Sequence, residues 1–282
     1  MRKIGIEIFY WIERWADDQI AFFPKAKDCG FDSVEISFVS GPETIDVPRM
    51  RAELERLNLD IFCSTGLSLQ TDITSPDASV RDAGIQYLRH CLETAQQLGS
   101  PILGGVTYAP WLQFPETTDL RPYRDRSAAA LKEVAKIAGD LGITLTLEVL
   151  NRFETFMFNT AAEGLTFLAQ IDHPATKLQL DTYHMNMEED DLAAAIHQSG
   201  TQIGHFHCAA SNRKLPGRGH IDWLAIKAAL DAVGYQGALV IETFPNPNVE
   251  TGRAVNTWRP LVGEDKDTDV KAALAFLREH VA

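Results

Sequence analysis

The chain has 282 residues, of which 45% are hydrophobic, enough to bury a substantial core and too many for a disordered chain. A formal net charge of −13 and a pI near 5.0 oppose binding to a nucleic-acid backbone, and no basic cluster offsets that balance. The four cysteines, Cys29, Cys63, Cys91 and Cys208, are scattered without a CxxC pair and read as reduced, partly buried thiols rather than a disulfide framework.

The first apolar run, KIGIEIF (3–9), is interrupted by Glu7, followed by Glu13 and Arg14, and lacks a small-residue cleavage site. It reads as a first strand and not as a leader peptide. No run approaches the roughly 18 apolar residues of a spanning helix, so a membrane partner is not expected and the cytoplasm is the expected location. Seven further strand-like runs follow: SVEISF (33–38), DIFCSTG (60–66), PILGGVTY (101–108), ITLTLEVL (143–150), KLQLDTYH (177–184), IGHFHCA (203–209) and ALVIETF (238–244). Between them lie segments with helical spacing, such as 79–99 and 125–142, each closed by a glycine suited to a left-handed helix stop.

Strands that each precede a helix pair in parallel through right-handed crossovers. Eight such units fill 282 residues as a single (β/α)8 TIM barrel domain over 1–282, with no length left for a second domain. An open doubly wound sheet is the competing architecture, but no GxGxxG follows the first strand. The two least regular stretches, 108–122 and 244–267, both follow strands, where a barrel carries its functional loops.

Side chains alternate across a strand, so facing can be read from parity. In the fifth run Thr144, Thr146, Glu148 and Leu150 share the face suited to the barrel interior. In the sixth it is Gln179, Asp181 and Tyr183; in the seventh, Ile203, His205 and His207; in the eighth, Ala238, Val240 and Glu242. Four strands in succession thus deliver Glu148, Asp181, His207 and Glu242 near their C-terminal ends. In an otherwise apolar barrel such a cluster is costly unless a cation or individual hydrogen bonds satisfy it. Four groups at matched depth favour the cation. Three carboxylates and one imidazole form a hard, mostly oxygen site that suits Mn²⁺, with Mg²⁺ or Co²⁺ as alternatives, better than structural zinc.

The segments LEVLNRFE (147–154), LDTYHMNMEE (180–189), GHFHCAASNR (204–213), PGRGHIDW (216–223), VIETF (240–244) and RAVNTW (253–258), in this order and spacing, are similar to the D-tagatose/D-allulose (psicose) 3-epimerases. These belong to the sugar isomerase/epimerase, or xylose isomerase-like, barrels. The likeness covers essentially the whole chain. It implies a metal held by Glu148, Asp181, His207 and Glu242, and a sugar contacted by Glu154, His184 and Arg213, with Trp111 as the aromatic contact of the loop after the fourth strand. It also implies that Glu148 and Glu242 alternate as base and acid to invert C3 of a free ketohexose through a cis-enediolate. A small-molecule sugar is then the partner, and a homodimer or homotetramer is implied.

Competing readings of individual residues stand beside these. Arg152 and Glu154 can be a surface ion pair; Arg213, in the basic loop SNRKLPGRG, can be solvated charge; His205 is a ligand or, preferably, a packed neighbour; Phe9, Trp15 and Phe244 are pocket wall or core. Two departures from the family pattern lie near the site: Ala210 where relatives usually carry an acidic residue, and Thr243 where they commonly have proline. The same metal set would also serve an aldose–ketose or inosose-type isomerase, or a metal-dependent lyase on an oxidised glycoside. A DNA-repair endonuclease on a related barrel needs histidines from early strands, and none precedes His90. A non-catalytic sugar-binding protein would not need two facing glutamates.

Overall fold

A computed structural model describes all residues 1–282. Eight parallel strands close on one another in chain order: β1 (Ile4–Glu7), β2 (Ser33–Ser37), β3 (Asp60–Leu67), β4 (Ile102–Pro110), β5 (Thr144–Glu148), β6 (Thr176–Asp181), β7 (Ile203–Cys208) and β8 (Leu239–Ile241), with β8 paired back to β1. The TIM barrel read from the alternation of strands and helices is the fold observed.

Local sequence explains the joints. The helix Ala78–Leu98 starts where the Asp77 carboxylate accepts the Ser79 N–H at 2.8 Å, and it ends at Gly99, whose φ of +86° suits a residue without a Cβ. The helix Arg121–Leu141 begins with a proline in its first turn and stops at Gly142 in the same left-handed conformation. No helix is long and apolar enough to cross a membrane.

Residues of one parity, including Ile6, Val34, Leu145, Leu147, Leu178, Leu180, Phe206 and Ile241, are buried against the helix layer. The opposite parity differs from the expectation of an apolar interior. Only the floor is apolar, a plug of Phe62, Ile102, Ala238 and Val240. Above it the interior carries buried Glu7, Glu35, Thr146, Gln179 and His205 as well as the groups at the strand ends. Gly104 leaves the room that Gln179 occupies, since a Cβ there would collide with the amide oxygen. That oxygen accepts from the Gly105 N–H at 3.1 Å and from Thr146 Oγ1 at 3.3 Å.

Two strand ends are shorter than their apolar runs suggest. β6 stops at Asp181 because its carboxylate accepts the Tyr183 N–H at 2.8 Å and so caps a helix, Thr182–Glu188. Tyr183 and His184 therefore lie on that helix, and Tyr183 does not share a strand face with Gln179 and Asp181. β8 is only three residues long, which puts Glu242 just past the strand and begins the final loop at Thr243.

Candidate active site

Glu148 and Asp181 are the last residues of β5 and β6, His207 is next to last in β7, and Glu242 follows β8. Register pairs Glu148 with Gln179, Asp181 with His207 and His207 with Val240, and with the strands staggered in this way the four side chains come together at the strand ends. Each offers a ligand-type atom within 4.8 Å of the others, and all four residues are buried. His207 Nδ1 lies between the two glutamates, 3.7 Å from Glu148 Oε1 and 3.6 Å from Glu242 Oε2. Both His207 Nδ1 and Glu148 Oε1 are buried without a hydrogen-bond partner, although buried polar atoms are seldom left so. Orphaned atoms that face one another in a set of three carboxylates and one imidazole fit a divalent cation of the hard or borderline class.

Arg213 supplies the positive charge that the chain itself brings. Its guanidinium donates to Asp181 Oδ2 at 2.6 Å and to Glu242 Oε2, and it lies over the Tyr183 and Phe244 rings at 4.5 and 5.4 Å from their centroids. It is 8% exposed, so solvated loop charge does not describe it. The Arg213 backbone takes a left-handed φ of +59°, closed by its N–H donating to the Ala210 carbonyl at 2.9 Å. Thr243 Oγ1 donates to the Arg213 carbonyl at 2.5 Å, a bond that proline at this position could not make.

These charges divide the carboxylates. Burial pushes the Glu148 carboxyl well above the usual range, reinforced by the charge of Glu242. Burial acts the same way on Glu242, but the Arg213 guanidinium and His207 outweigh it and bring the group down to about 2. At Asp181 burial wins over Arg213 and pushes the carboxyl up to about 6. His207 is pushed up against the effect of burial by Glu35 and Glu242.

A second set of polar groups surrounds the mouth. The Asn151 backbone N–H donates to His184 Nδ1 at 3.2 Å, which makes Nδ1 an acceptor and leaves the proton on Nε2. That Nε2–H has no partner and lies 3.9 Å from Asp181 Oδ2. Burial, with Arg213 nearby, keeps this imidazole well below its usual pKa and therefore neutral. Glu154 accepts from Asn151 Nδ2 at 3.0 Å and from Trp111 Nε1 at 3.2 Å, and burial raises its carboxyl.

Arg152 is not its partner: the guanidinium and N–H of this exposed residue bind Glu188, with contacts of 2.6–3.1 Å. The surface pair expected of Arg152 thus exists with a different acid, 36 residues away.

Glu148, Glu154, His184, His207, Arg213, Glu242 and Trp111 line one cavity. Its apolar wall is an aromatic set: Phe9 stacks on Phe244 at 5.1 Å, Trp15 meets Phe9 edge-on at 5.1 Å, and Trp111 meets Trp15 edge-on at 6.2 Å. Asp181 lies behind this surface, reaching it through Arg213 and His184. A polar donor set facing an aromatic wall is suited to a small, hydroxyl-rich molecule with an apolar C–H face.

Sequence reasoning did not single out Glu35, and it noted Glu7 only as an interruption. Both oxygens of Glu7 are buried without a partner, and burial with the charge of Glu35 pushes its carboxyl well above the usual range. Glu35, adjacent in register on β2, is ionised: the two histidines of β7 outweigh burial and hold it low. A carboxylate inside an apolar strand was the available signal in both cases, as it was for Glu148.

Comparison with known proteins gives this site a family. Residues 23–280 match the xylose isomerase-like TIM barrel family. The D-psicose 3-epimerase of Ruminiclostridium cellulolyticum is 35% identical, over 98% of this chain and 97% of that protein. An L-ribulose 3-epimerase from a Methylomonas species is 36% identical over 90% and 88%. The crystal structure of D-psicose 3-epimerase with D-tagatose from Clostridium cellulolyticum H10 superposes with a TM-score of 0.94 at 34% identity, covering 99% of both chains. The chain belongs to the ketose 3-epimerases, carbohydrate isomerases of the xylose isomerase-like TIM barrel family.

Proposed function

We propose that this protein inverts C3 of a free ketose of the D-psicose, D-fructose and D-tagatose class, using a divalent metal, Mn²⁺ by preference, held by Glu148, Asp181, His207 and Glu242. The observation that carries the reading is the pair of buried glutamates from β5 and β8, both facing His207 Nδ1 across less than 4 Å and both lining the same cavity. When bound, the metal supplies positive charge that stabilises the enediolate formed by loss of the C3 proton.

The residues divide the remaining work. Inversion requires proton removal on one face of the carbon and delivery on the other. Glu148 and Glu242 approach the cavity from strands three apart in the barrel, so one carboxylate takes the proton while the other returns one. His184 presents its Nε2–H as a donor to oxygen on which negative charge develops, held in that tautomer by Asn151. Arg213 keeps Asp181 and Glu242 oriented and adds positive charge beside the reacting carbons. Glu154 accepts from a sugar hydroxyl, with Trp111 and Phe244 against the C–H face.

The test is deuterium exchange. After chelation and reconstitution with Mn²⁺, D-fructose, D-psicose or D-tagatose incubated in D₂O gains label at C3, and Glu148→Gln or Glu242→Gln lowers the rate by about 10²–10⁴-fold. Label confined to C1 or C2 excludes 3-epimerisation and indicates aldose–ketose isomerisation. Full activity in either variant removes that glutamate from the mechanism.

A further inference from the structure

Beneath the four groups at the strand ends lies a second layer that the proposed mechanism does not use. His205 precedes His207 by two residues on β7, and both point into the barrel. His205 Nε2 donates to Glu35 Oε2 at 2.6 Å, and His207 Nε2 donates to the same oxygen at 3.2 Å. All three residues are at most 2% exposed. Glu35 comes from β2, three strands from β7 around the barrel, so its carboxylate reaches across the interior to meet both rings.

The trio is also a set of metal-ligating residue types in close contact. Separations of 2.6 and 3.2 Å between the nitrogens and one carboxylate oxygen, however, are hydrogen-bond lengths. A cation between those atoms would need them farther apart. The opposite nitrogen of His207, Nδ1, is the buried atom without a partner that faces Glu148 and Glu242.

We infer that Glu35 is a positioning residue for the metal centre: anchored by His205, it accepts the Nε2–H of His207 and thereby holds that ring with Nδ1 free for the metal. The inference rests on the reading of His207 as a ligand. A ligating imidazole whose other nitrogen is bound by a carboxylate has its tautomer and ring orientation set in advance, and loss of that partner typically costs about 10- to 100-fold in metal affinity. His205, the histidine that could be either a ligand or a packed neighbour, becomes the group that orients Glu35.

The experiment measures Mn²⁺ affinity by competition with a chelator, at one pH, for the full chain and for Glu35→Gln, His205→Asn, His207→Asn and the double variant Glu35→Gln/His207→Asn. Glu35→Gln is expected to weaken Mn²⁺ binding by about 10- to 100-fold, and His205→Asn by a smaller factor. In the His207→Asn background Glu35→Gln should have no further effect, because its influence passes through that ring. The visible d–d spectrum of the Co²⁺-loaded protein should change in Glu35→Gln, which a loss of general stability would not produce.

An affinity within twofold of wild type in folded Glu35→Gln, or equal losses with and without His207, overturns the inference while leaving the metal site intact. Unchanged Mn²⁺ binding in His207→Asn overturns the ligand reading itself, and the inference with it. Should Glu35→Gln fail to fold, Glu35→Asp, which keeps the charge and draws the oxygen back, must show the same direction of change in affinity and Co²⁺ spectrum; a wild-type spectrum and affinity there also overturn it.

Discussion

Replacing Arg213 with methionine tests whether the guanidinium is the chain's own counter-charge to the carboxylates. The substitution keeps an unbranched apolar stem and removes the donors to Asp181 Oδ2 and Glu242 Oε2. Both acceptors are buried, Asp181 completely and Glu242 at 7% exposure, so water does not replace the lost bonds. Removing one partner of a buried ion pair costs about 3–5 kcal/mol. In a protein of this size about 1 kcal/mol corresponds to roughly 2–3 °C, so the metal-free variant should melt about 6–15 °C below wild type. Binding of Mn²⁺ at 100 times its Kd stabilises by about 2.7 kcal/mol. At the same Mn²⁺ concentration that gain should be larger in the variant, where the cation meets carboxylates with no competing guanidinium. Calorimetry with chelator and with Mn²⁺ measures both quantities. The deficit should shrink as the pH is lowered, because without the guanidinium that lowers both groups the Asp181 and Glu242 carboxyls take up protons at higher pH than in wild type and no longer need a cation. A metal-free Arg213→Met protein that melts within about 2 °C of wild type, or that gains less from Mn²⁺, would refute the argument.

Thr243→Val removes the hydroxyl donor to the Arg213 carbonyl at nearly constant shape; it should cost about 1–3 kcal/mol and raise KM for the ketose, while Thr243→Ser retains the bond and restores both. Indistinguishable valine and serine variants would mean that the bond does not hold Arg213 in place. Arg152→Ala should leave kcat/KM unchanged and lower Tm by no more than about 4 °C, since its partner is Glu188 and not Glu154. The Arg152 hydrogen bonds hold the Glu188 carboxyl below its usual range against a smaller effect of burial. The pair therefore contributes fully above the unfolded value of about 4.3 and is lost as pH falls through the folded one, so the two melting curves should converge in acid. A Tm difference that stays constant below pH 4 would remove Glu188 as the partner.

Parity along β5, β7 and the run 238–244 was enough to turn Glu148, His207 and Glu242 inward, because a strand's facing is settled by its own alternation. The same rule misplaced Tyr183. Alternation in LQLDTYH does not itself show where the strand ends, and the ending depends on Asp181 turning back to cap the next helix. An aspartate followed by the helix-compatible run YHMNMEE was the signal available. Pairings over long separations were less legible still. Arg152 finds Glu188 rather than the nearby Glu154 because Glu154 turns inward to Asn151 and Trp111, a choice made by loop packing. Glu35 went unremarked because it lies in mid-strand early in the chain, away from the strand ends where barrel chemistry is sought.

That oversight has a geometric cause. Residues two apart on a strand are displaced by about 6.6 Å along it, so His205 and His207 share a facing but occupy different layers of the barrel. Facing is readable from one strand; layer contacts depend on how all eight strands are staggered. The register places Gln179 beside His205 and Asp181 beside His207, while a bulge after Leu178 shifts β6 relative to β7 below them. His207 lines the cavity, whereas His205 and Glu35 do not, and the His205 ring packs against Phe62 with centroids 5.2 Å apart. His207 touches both layers, through Nε2 to Glu35 and through Nδ1 toward Glu148 and Glu242. A buried carboxylate that cannot reach the cavity can therefore still act on the chemistry there, and it must do so through that imidazole. Substitutions of Glu35 and His205 should consequently alter metal affinity before they alter which sugar is accepted, whereas those in the aromatic wall of Phe9, Trp15 and Trp111 should do the reverse.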